Sequence, residues 1–180
     1  MDFLTYLWQL DSSLLLWFQS LRQEWMTPFW KFITSLGDAG WFWIVLALLL
    51  LCFRRTRRAG LAAFIALAVG ALITNIICKP AFARVRPYEA IDGLILLVEK
   101  QKDFSFPSGH SCASFAAVTA LRRHLPRQAV AGLLILATLI AVSRLYVGVH
   151  YPSDVLGGIF IGAFAGWIAG KIIRPPSSLS

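Results

Sequence analysis

The stretch Ser143-Arg-Leu-Tyr-Val-Gly-Val-His150-Tyr-Pro-Ser-Asp154 lies between two long apolar runs, one over residues 128–147 and one from Pro152 towards Lys171. It sets an arginine, a histidine and an aspartate where a chain of this composition normally avoids charge. Ionisable groups at such depth are costly in lipid, which makes them functional candidates. Asp154 follows His150 by four residues, so one helical turn predicts that the two side chains meet. Taken alone, the stretch reads equally well as a helix end with interfacial anchors. Two other polar clusters at equivalent places along the chain decide between these readings.

Outward from this stretch the chain is strongly apolar. Of its 180 residues 58% are hydrophobic and 14% charged, well beyond the share of a soluble domain. The pattern predicts an all-α, polytopic membrane bundle in one domain covering residues 1–180, with about five transmembrane helices. Residues 41–53, 59–78, 108–121, 128–147 and the run from Pro152 are the expected spans. The first is short and must recruit residues before Trp41. Residues 1–37 are rich in tryptophan but broken by Asp11, Arg22, Glu24 and Lys31. They predict amphipathic helices lying in the interface, with Pro28 near the start of the second; a sixth span over residues 3–21 stays open. The apolar middle of the loop at 81–106 is expected to dip into the interface, and the tail at 175–180 to be loose. Cys52, Cys78 and Cys112 fit no zinc spacing and no disulfide framework, and read as small apolar side chains.

Charge sets the orientation. The segments 54–58, 122–127 and 171–174 hold nine Lys or Arg and no Asp or Glu, which places them on the cytoplasmic side. The net charge of +8 is thereby explained by short topogenic loops, and no nucleic-acid partner is expected. Residues 79–86, 107–110 and 144–154 then share the opposite face. Gly158, Gly162, Gly166 and Gly170 make a smooth stripe for close helix contact on the last span.

Each cluster carries its own chemistry. Lys79, Arg84 and Arg86 form a cationic group with no carboxylate among them, so the anion is expected from a ligand. Arginine offers a bidentate fork to phosphate and lysine a point charge. In Pro107-Ser-Gly-His110, Ser108 caps a helix whose free N–H groups suit an anion, and His110 lies on the first turn. The third cluster adds Arg144, His150 and Asp154. Two histidines and an aspartate could hold zinc, but the surrounding cations would repel a metal. The other reading is metal-independent phosphoryl transfer: the cations neutralise the phosphate, one imidazole attacks phosphorus and the other protonates the leaving oxygen. Its proximity to Asp154 makes His150 the nucleophile, which leaves His110 as the acid.

Lys79-x6-Arg86-Pro87, Pro107-Ser-Gly-His110 and Ser143-Arg144-x5-His150-x3-Asp154 resemble the three signature motifs of the type 2 phosphatidic acid phosphatase (PAP2) superfamily, in the same order. The resemblance implies a helical-bundle lipid phosphatase without cofactor or metal. It assigns phosphohistidine formation to His150, leaving-group protonation to His110, and phosphate binding to Lys79, Arg86, Ser108, Gly109 and Arg144. Arg84, from the same cationic group, is an accessory candidate. Many relatives have six spans, one more than is expected here. The compact form is similar to bacterial members acting on undecaprenyl diphosphate at the outer face of the plasma membrane; phosphatidylglycerophosphate and phosphatidic acid are the competing substrates. An anion or lipid transporter is the alternative of another class, but the polar residues sit at helix ends and no inverted repeat is visible.

Overall fold

Alanine, leucine and other good helix formers dominate the apolar runs, and in the computed structural model those runs are helices. The structure describes residues 3–174; the polar tail lies outside the described residues. The elements are α1 (Phe3–Ser20), α2 (Thr27–Ser35), α3 (Trp41–Cys52), α4 (Arg57–Ala71), two one-turn helices α5 (Lys79–Phe82) and α6 (Pro87–Ala90), α7 (Gly109–Leu121), α8 (Arg127–Tyr146) and α9 (Pro152–Ile172). A π-helical segment, Leu72–Cys78, joins α4 to α5.

Arg57–Ala90, Arg127–Tyr146 and Pro152–Ile172 are long and apolar enough to cross a membrane. Glu24–Ser35 and Asp38–Cys52, bent by 43°, give a fourth crossing if taken as one broken span. Two of the five expected spans therefore take another form. Residues 41–53 supply only the 12-residue α3, which reaches membrane length through α2 across the bend. The bend itself holds two left-handed residues, Ala39 (φ 50°) and Gly40 (φ 70°). The 13-residue α7 is about 20 Å long, less than the hydrocarbon thickness.

α7 sits at the centre of the bundle, packed most closely against α9, then α4 and α8. Its sequence, GHSCASFAAVTAL, explains the position: small side chains let neighbours approach on every face. The glycine stripe of α9 supplies the other half of that seam. A methyl group at Gly158, Gly162 or Gly166 would land on the backbone of Ser108, Cys112 or Ala116, whereas Gly170 faces open space. Three of the four stripe positions thus press α9 onto α7. α3 is locked to α7 by a buried hydrogen bond from Trp43 Nε1 to Ser114 Oγ at 2.9 Å.

The N-terminal helix joins this core. Leu15 of α1 is fully buried among Ala141, Leu145, Tyr151 and Val155. The apolar middle of the loop after α6 also packs on the bundle. Leu96, Leu97 and Val98 pack on Tyr146, Val147 and Val149, not outwards. Arg22 and Gln19 clip this loop down by hydrogen bonds to the Ile95 carbonyl (2.7 Å) and the Gly93 carbonyl (2.9 Å). At the opposite end of the bundle, His124 lies near Arg58, Arg123 and the Ile173 carbonyl, so the basic segments do gather at one end.

Candidate active site

Five separate parts of the chain deliver one residue group each to the same end of the bundle. Lys79 opens α5 directly after the π-helical segment, a rare geometry that is frequent at functional sites. Arg86 is the extended residue before Pro87, held there because proline disfavours a helical predecessor. Gly109 and His110 open α7; Arg144 lies in the last turn of α8; His150 sits in the turn before α9. Together Lys79, Arg86, Gly109, His110, Arg144 and His150 line a cavity of about 270 Å³. Ile44, Leu67 and Ala71 give it an apolar patch, and Thr74, Asn75, Gln101 and Asp103 add polar lining. A second, wider groove reaches His110 and Arg144 from the side of α2 and the loop at 97–101.

His150 and Asp154 meet, but not across a turn of helix. Pro152 starts α9, Tyr151 is extended (ψ 157°), and His150 therefore lies outside the helix. The pair closes across the cap: Asp154 is the third helical residue and reaches back to the Tyr151 N–H at 2.9 Å. Its Oδ2 also accepts from Ser105 Oγ at 2.5 Å and lies 3.4 Å from His150 Nδ1. At that length Nδ1 has no formal hydrogen-bond partner, although it faces the carboxylate. The other ring nitrogen settles the tautomer. Arg86 Nη1 lies 3.3 Å from His150 Nε2, and an arginine can only donate, so Nε2 is an acceptor and the proton sits on Nδ1. Burial first, then the charges of Arg86 and Arg144, push the His150 pKa down to about 3 against the pull of Asp154.

The cations are not unpaired, which corrects the expectation drawn from the local sequence. Asp103 bridges Lys79 and Arg86, touching the first through Oδ2 and the second through Oδ1 at 2.5 Å. Arg84 turns away from the cavity. It donates to Asp154 Oδ1 at 2.6 Å and Asp11 Oδ2 at 2.7 Å, and its guanidinium lies 3.9 Å from the centre of the Tyr151 ring. The counter-ions come from residues distant in sequence, which no local reading of 79–87 could supply. Arg144 makes one hydrogen bond, to Thr34 Oγ1 at 2.6 Å, and its buried Nε has no partner among the described residues.

Ser108 does cap α7, accepting from the Ser111 N–H, but it is fully buried and does not line the cavity. Its N–H is taken by the Asp154 carbonyl at 3.0 Å. Gly109 does line the cavity, with the Lys79 ammonium 4.0 Å from where a side chain would begin. His110 also has a carboxylate after all: Asp38, from the bend between α2 and α3, lies 3.0 Å from its Nε2. Asp11, Asp38, Asp103, Ser105 and Thr34 are thus the site residues that the sequence reading missed. Scarcity was the available signal. The chain has only nine acidic residues, and Asp38 is the sole one between Glu24 and Glu89.

The arrangement presents clustered cations, a neutral imidazole backed by a buried carboxylate, and a second imidazole with its own carboxylate. An α7 helix N-terminus adds free N–H groups. These are the parts required to hold a tetrahedral anion and exchange its ester oxygen. The undecaprenyl-diphosphatase of Sulfolobus acidocaldarius is 36% identical over 131 residues, covering 72% of this chain and 63% of that protein, so the chain spans less than two thirds of its length. The lipid A 4'-phosphatase of Bacteroides thetaiotaomicron is 28% identical over 91% of this chain and 76% of its own. The crystal structure of a PAP2-type phosphatidylglycerolphosphate phosphatase from Bacillus subtilis superposes with a TM-score of 0.78 at 25% identity, covering 93% of this chain and 86% of that one. The PAP2 superfamily profile matches residues 59–175, a span that contains all three motifs and both histidines, and the chain belongs to that superfamily.

Proposed function

We propose that this multi-pass membrane protein is a metal-independent lipid phosphatase that hydrolyses a lipid diphosphate, undecaprenyl diphosphate first among them, to the lipid monophosphate and inorganic phosphate. One observation carries the reading: Lys79, Arg86, Arg144, His110 and His150 line a single cavity that also has an apolar patch of Ile44, Leu67 and Ala71. A phosphate can sit against the cations while its lipid chain leaves through the wall of Ile44, Leu67 and Ala71. The preference for a diphosphate rests on similarity to the archaeal undecaprenyl-diphosphatase. The basic segments gather at the far end, so the site opens on the extracytoplasmic side of a bacterial plasma membrane.

The chemistry has two steps. His150 Nε2 attacks the terminal phosphorus, the bridging P–O bond breaks, and His110 gives its proton to the departing oxygen. Lys79, Arg86, Arg144 and the α7 N-terminus at Gly109 stabilise the equatorial oxygens. Asp154 stabilises the imidazolium that forms on His150. Water then attacks the phosphohistidine, passes a proton to His110, and the N–P bond breaks to release phosphate.

The test is a phosphate-release panel with purified protein in detergent and EDTA. It compares undecaprenyl diphosphate, phosphatidylglycerophosphate, phosphatidic acid and a water-soluble phosphate ester. Undecaprenyl diphosphate is expected to give the highest kcat/KM, and His150→Ala to abolish release while the protein stays folded. Preference for phosphatidylglycerophosphate would move the substrate to the other named class. Full activity of His150→Ala would refute the nucleophile.

A further inference from the structure

Arg86 has no donor to spare. Of its five N–H groups, Nε donates to the Asp103 carbonyl (3.0 Å) and Nη1 is shared between the Val149 carbonyl (2.9 Å) and His150 Nε2 (3.3 Å). Nη2 donates to Asp103 Oδ1 (2.5 Å) and to the Phe104 carbonyl (3.4 Å). Lys79 holds the other oxygen of the same Asp103 carboxylate. A single carboxylate therefore spans two cavity-lining cations with one oxygen each, as two oxygens of a phosphate would. A phosphate can reach the Arg86 fork only by taking the place of one of these partners, and Val149, His150 and Phe104 are fixed by the backbone or by the reaction. Asp103 is the partner able to leave. Its side chain is 50% exposed, it lies in a surface loop beside exposed Lys102 and Phe104, and it lines the cavity itself.

We infer that Asp103 is a resident anion seated where substrate phosphate binds, and that its displacement sets a charge threshold selecting diphosphates over monophosphates. The inference rests on the reading of the cavity as a phosphate site. A unit negative charge in contact with two cations is evicted by a group of greater charge density, and a lipid diphosphate brings more charge than a lipid monophosphate. Burial opposes the ionised carboxyl, but Lys79 and Arg86 overcome it and hold Asp103 below the usual carboxylate range, so the anion is present at neutral pH. Once Asp103 swings out, the freed Arg86 Nη2 and the Lys79 ammonium turn to phosphate oxygens, which brings phosphorus beside His150 Nε2. The alternative role for Asp103 is that of a brace that keeps Lys79 and Arg86 in place.

Binding of inorganic phosphate, measured by titration calorimetry on the full chain in detergent, separates the two roles by sign. Asp103→Asn is expected to bind phosphate about tenfold more tightly than the parent protein, because a like charge has left the seat. The ratio of kcat/KM for lipid diphosphate over lipid monophosphate is expected to fall by a similar factor. A brace predicts the reverse: weaker phosphate binding and an unchanged ratio. Equal or weaker binding by Asp103→Asn overturns the inference. Asp103→Ala, which removes the charge without an amide, guards against a fault peculiar to asparagine. Hydrogen exchange at residues 99–104 gives a second readout on the parent protein: phosphate is expected to speed it, and protection would overturn the displacement. Arg144→Met marks the site, since it is expected to lose phosphate binding altogether. If the parent protein binds phosphate with this pattern yet hydrolyses no lipid phosphate, the functional reading falls while the inference about Asp103 stands.

Discussion

Two imidazole–carboxylate pairs face the same cavity, and they are built in opposite ways. His150 and Asp154 lie four residues apart, and the Asp154 side chain is fully buried. It is held by Arg84, Ser105 and the Tyr151 N–H. His110 and Asp38 come from parts of the chain 72 residues apart, and the Asp38 side chain is 64% exposed. It stands on a bend whose Ala39 has φ 50°, a conformation that costs an alanine about 1 kcal/mol. The first pair suits a group that must carry positive charge through a covalent step, where a fixed counter-charge does most. The second suits a group that exchanges a proton with a departing oxygen and then with water, where access matters more than rigidity.

The comparison is tested most severely at Asp154. Asp154→Asn keeps the shape and removes the carboxylate charge 3.4 Å from His150 Nδ1, which in the proposed reaction stabilises the imidazolium. By analogy with the effect of an aspartate-to-asparagine change in a hydrolase triad, kcat is expected to fall about 10³–10⁴-fold with KM little changed. Steady-state kinetics on lipid diphosphate checks this; a loss below about tenfold would make the two carboxylates equivalent. The pH profile sharpens it. With its pKa pushed down to about 3, His150 stays neutral at every pH above that value, so its protonation contributes no acid limb to kcat/KM between about pH 5 and 8. A limb near the ordinary histidine value of 6.5 that vanishes in His150 variants would break the assignment. The same shift bears on stability. The unfolded chain takes up a proton below about pH 6.5 that folded His150 refuses, so this group lowers stability progressively as pH falls from there towards about 3.

Next in size comes Arg84, which supports the first pair from behind. Arg84→Met leaves Asp11 and Asp154 without their shared cation. The loss of one partner from a buried ion pair costs about 3–5 kcal/mol. Because the Arg84 side chain is 24% exposed, solvent screening reduces the expectation to about 2 kcal/mol. Activity is expected to fall roughly tenfold to a hundredfold as Asp154 loses its fixed orientation. Asp11→Asn in the same chain should recover part of the stability and none of the activity, a separation that denaturation and kinetics read independently.

This contrast also explains what was legible in the sequence. Residues 128–147 and the run from Pro152 appear as α8 and α9 within a few positions, because hydropathy and charged ends are local signals. The same is true of Ser108 as a helix cap and of the three motifs, whose residues are close in sequence or lie at helix ends. The counter-ions were not legible. Asp103, Asp38 and Asp11 reach the site through the folding of a loop, a bend and an N-terminal helix onto the bundle, and no spacing rule encodes such contacts. Hydropathy alone marks residues 96–98 as apolar and suited to the interface, but it does not name Tyr146, Val147 and Val149 as the residues they pack on. The bounds of the central helix were legible too, residues 108–121 against Gly109–Leu121, whereas its place at the centre of the bundle depends on which helices pack around it.

The smallest expected effect separates the pairs most finely. Asp38→Asn removes the carboxylate that orients His110 and leaves the phosphate cations, His150 and Asp154 untouched. The exposed position of Asp38 means that water can replace part of its role, so kcat for a lipid diphosphate is expected to fall only about tenfold. The loss should depend on the departing group. An aryl phosphate, whose oxygen leaves readily without a proton, should lose little, while a lipid monophosphate, whose alkoxide leaves poorly, should lose most. In the proposed reaction Asp154→Asn acts on formation of the phosphohistidine, so it should reduce both substrates alike. A uniform loss in Asp38→Asn would place Asp38 in support of the fold or of phosphate binding. A graded loss would tie it to the proton that His110 delivers.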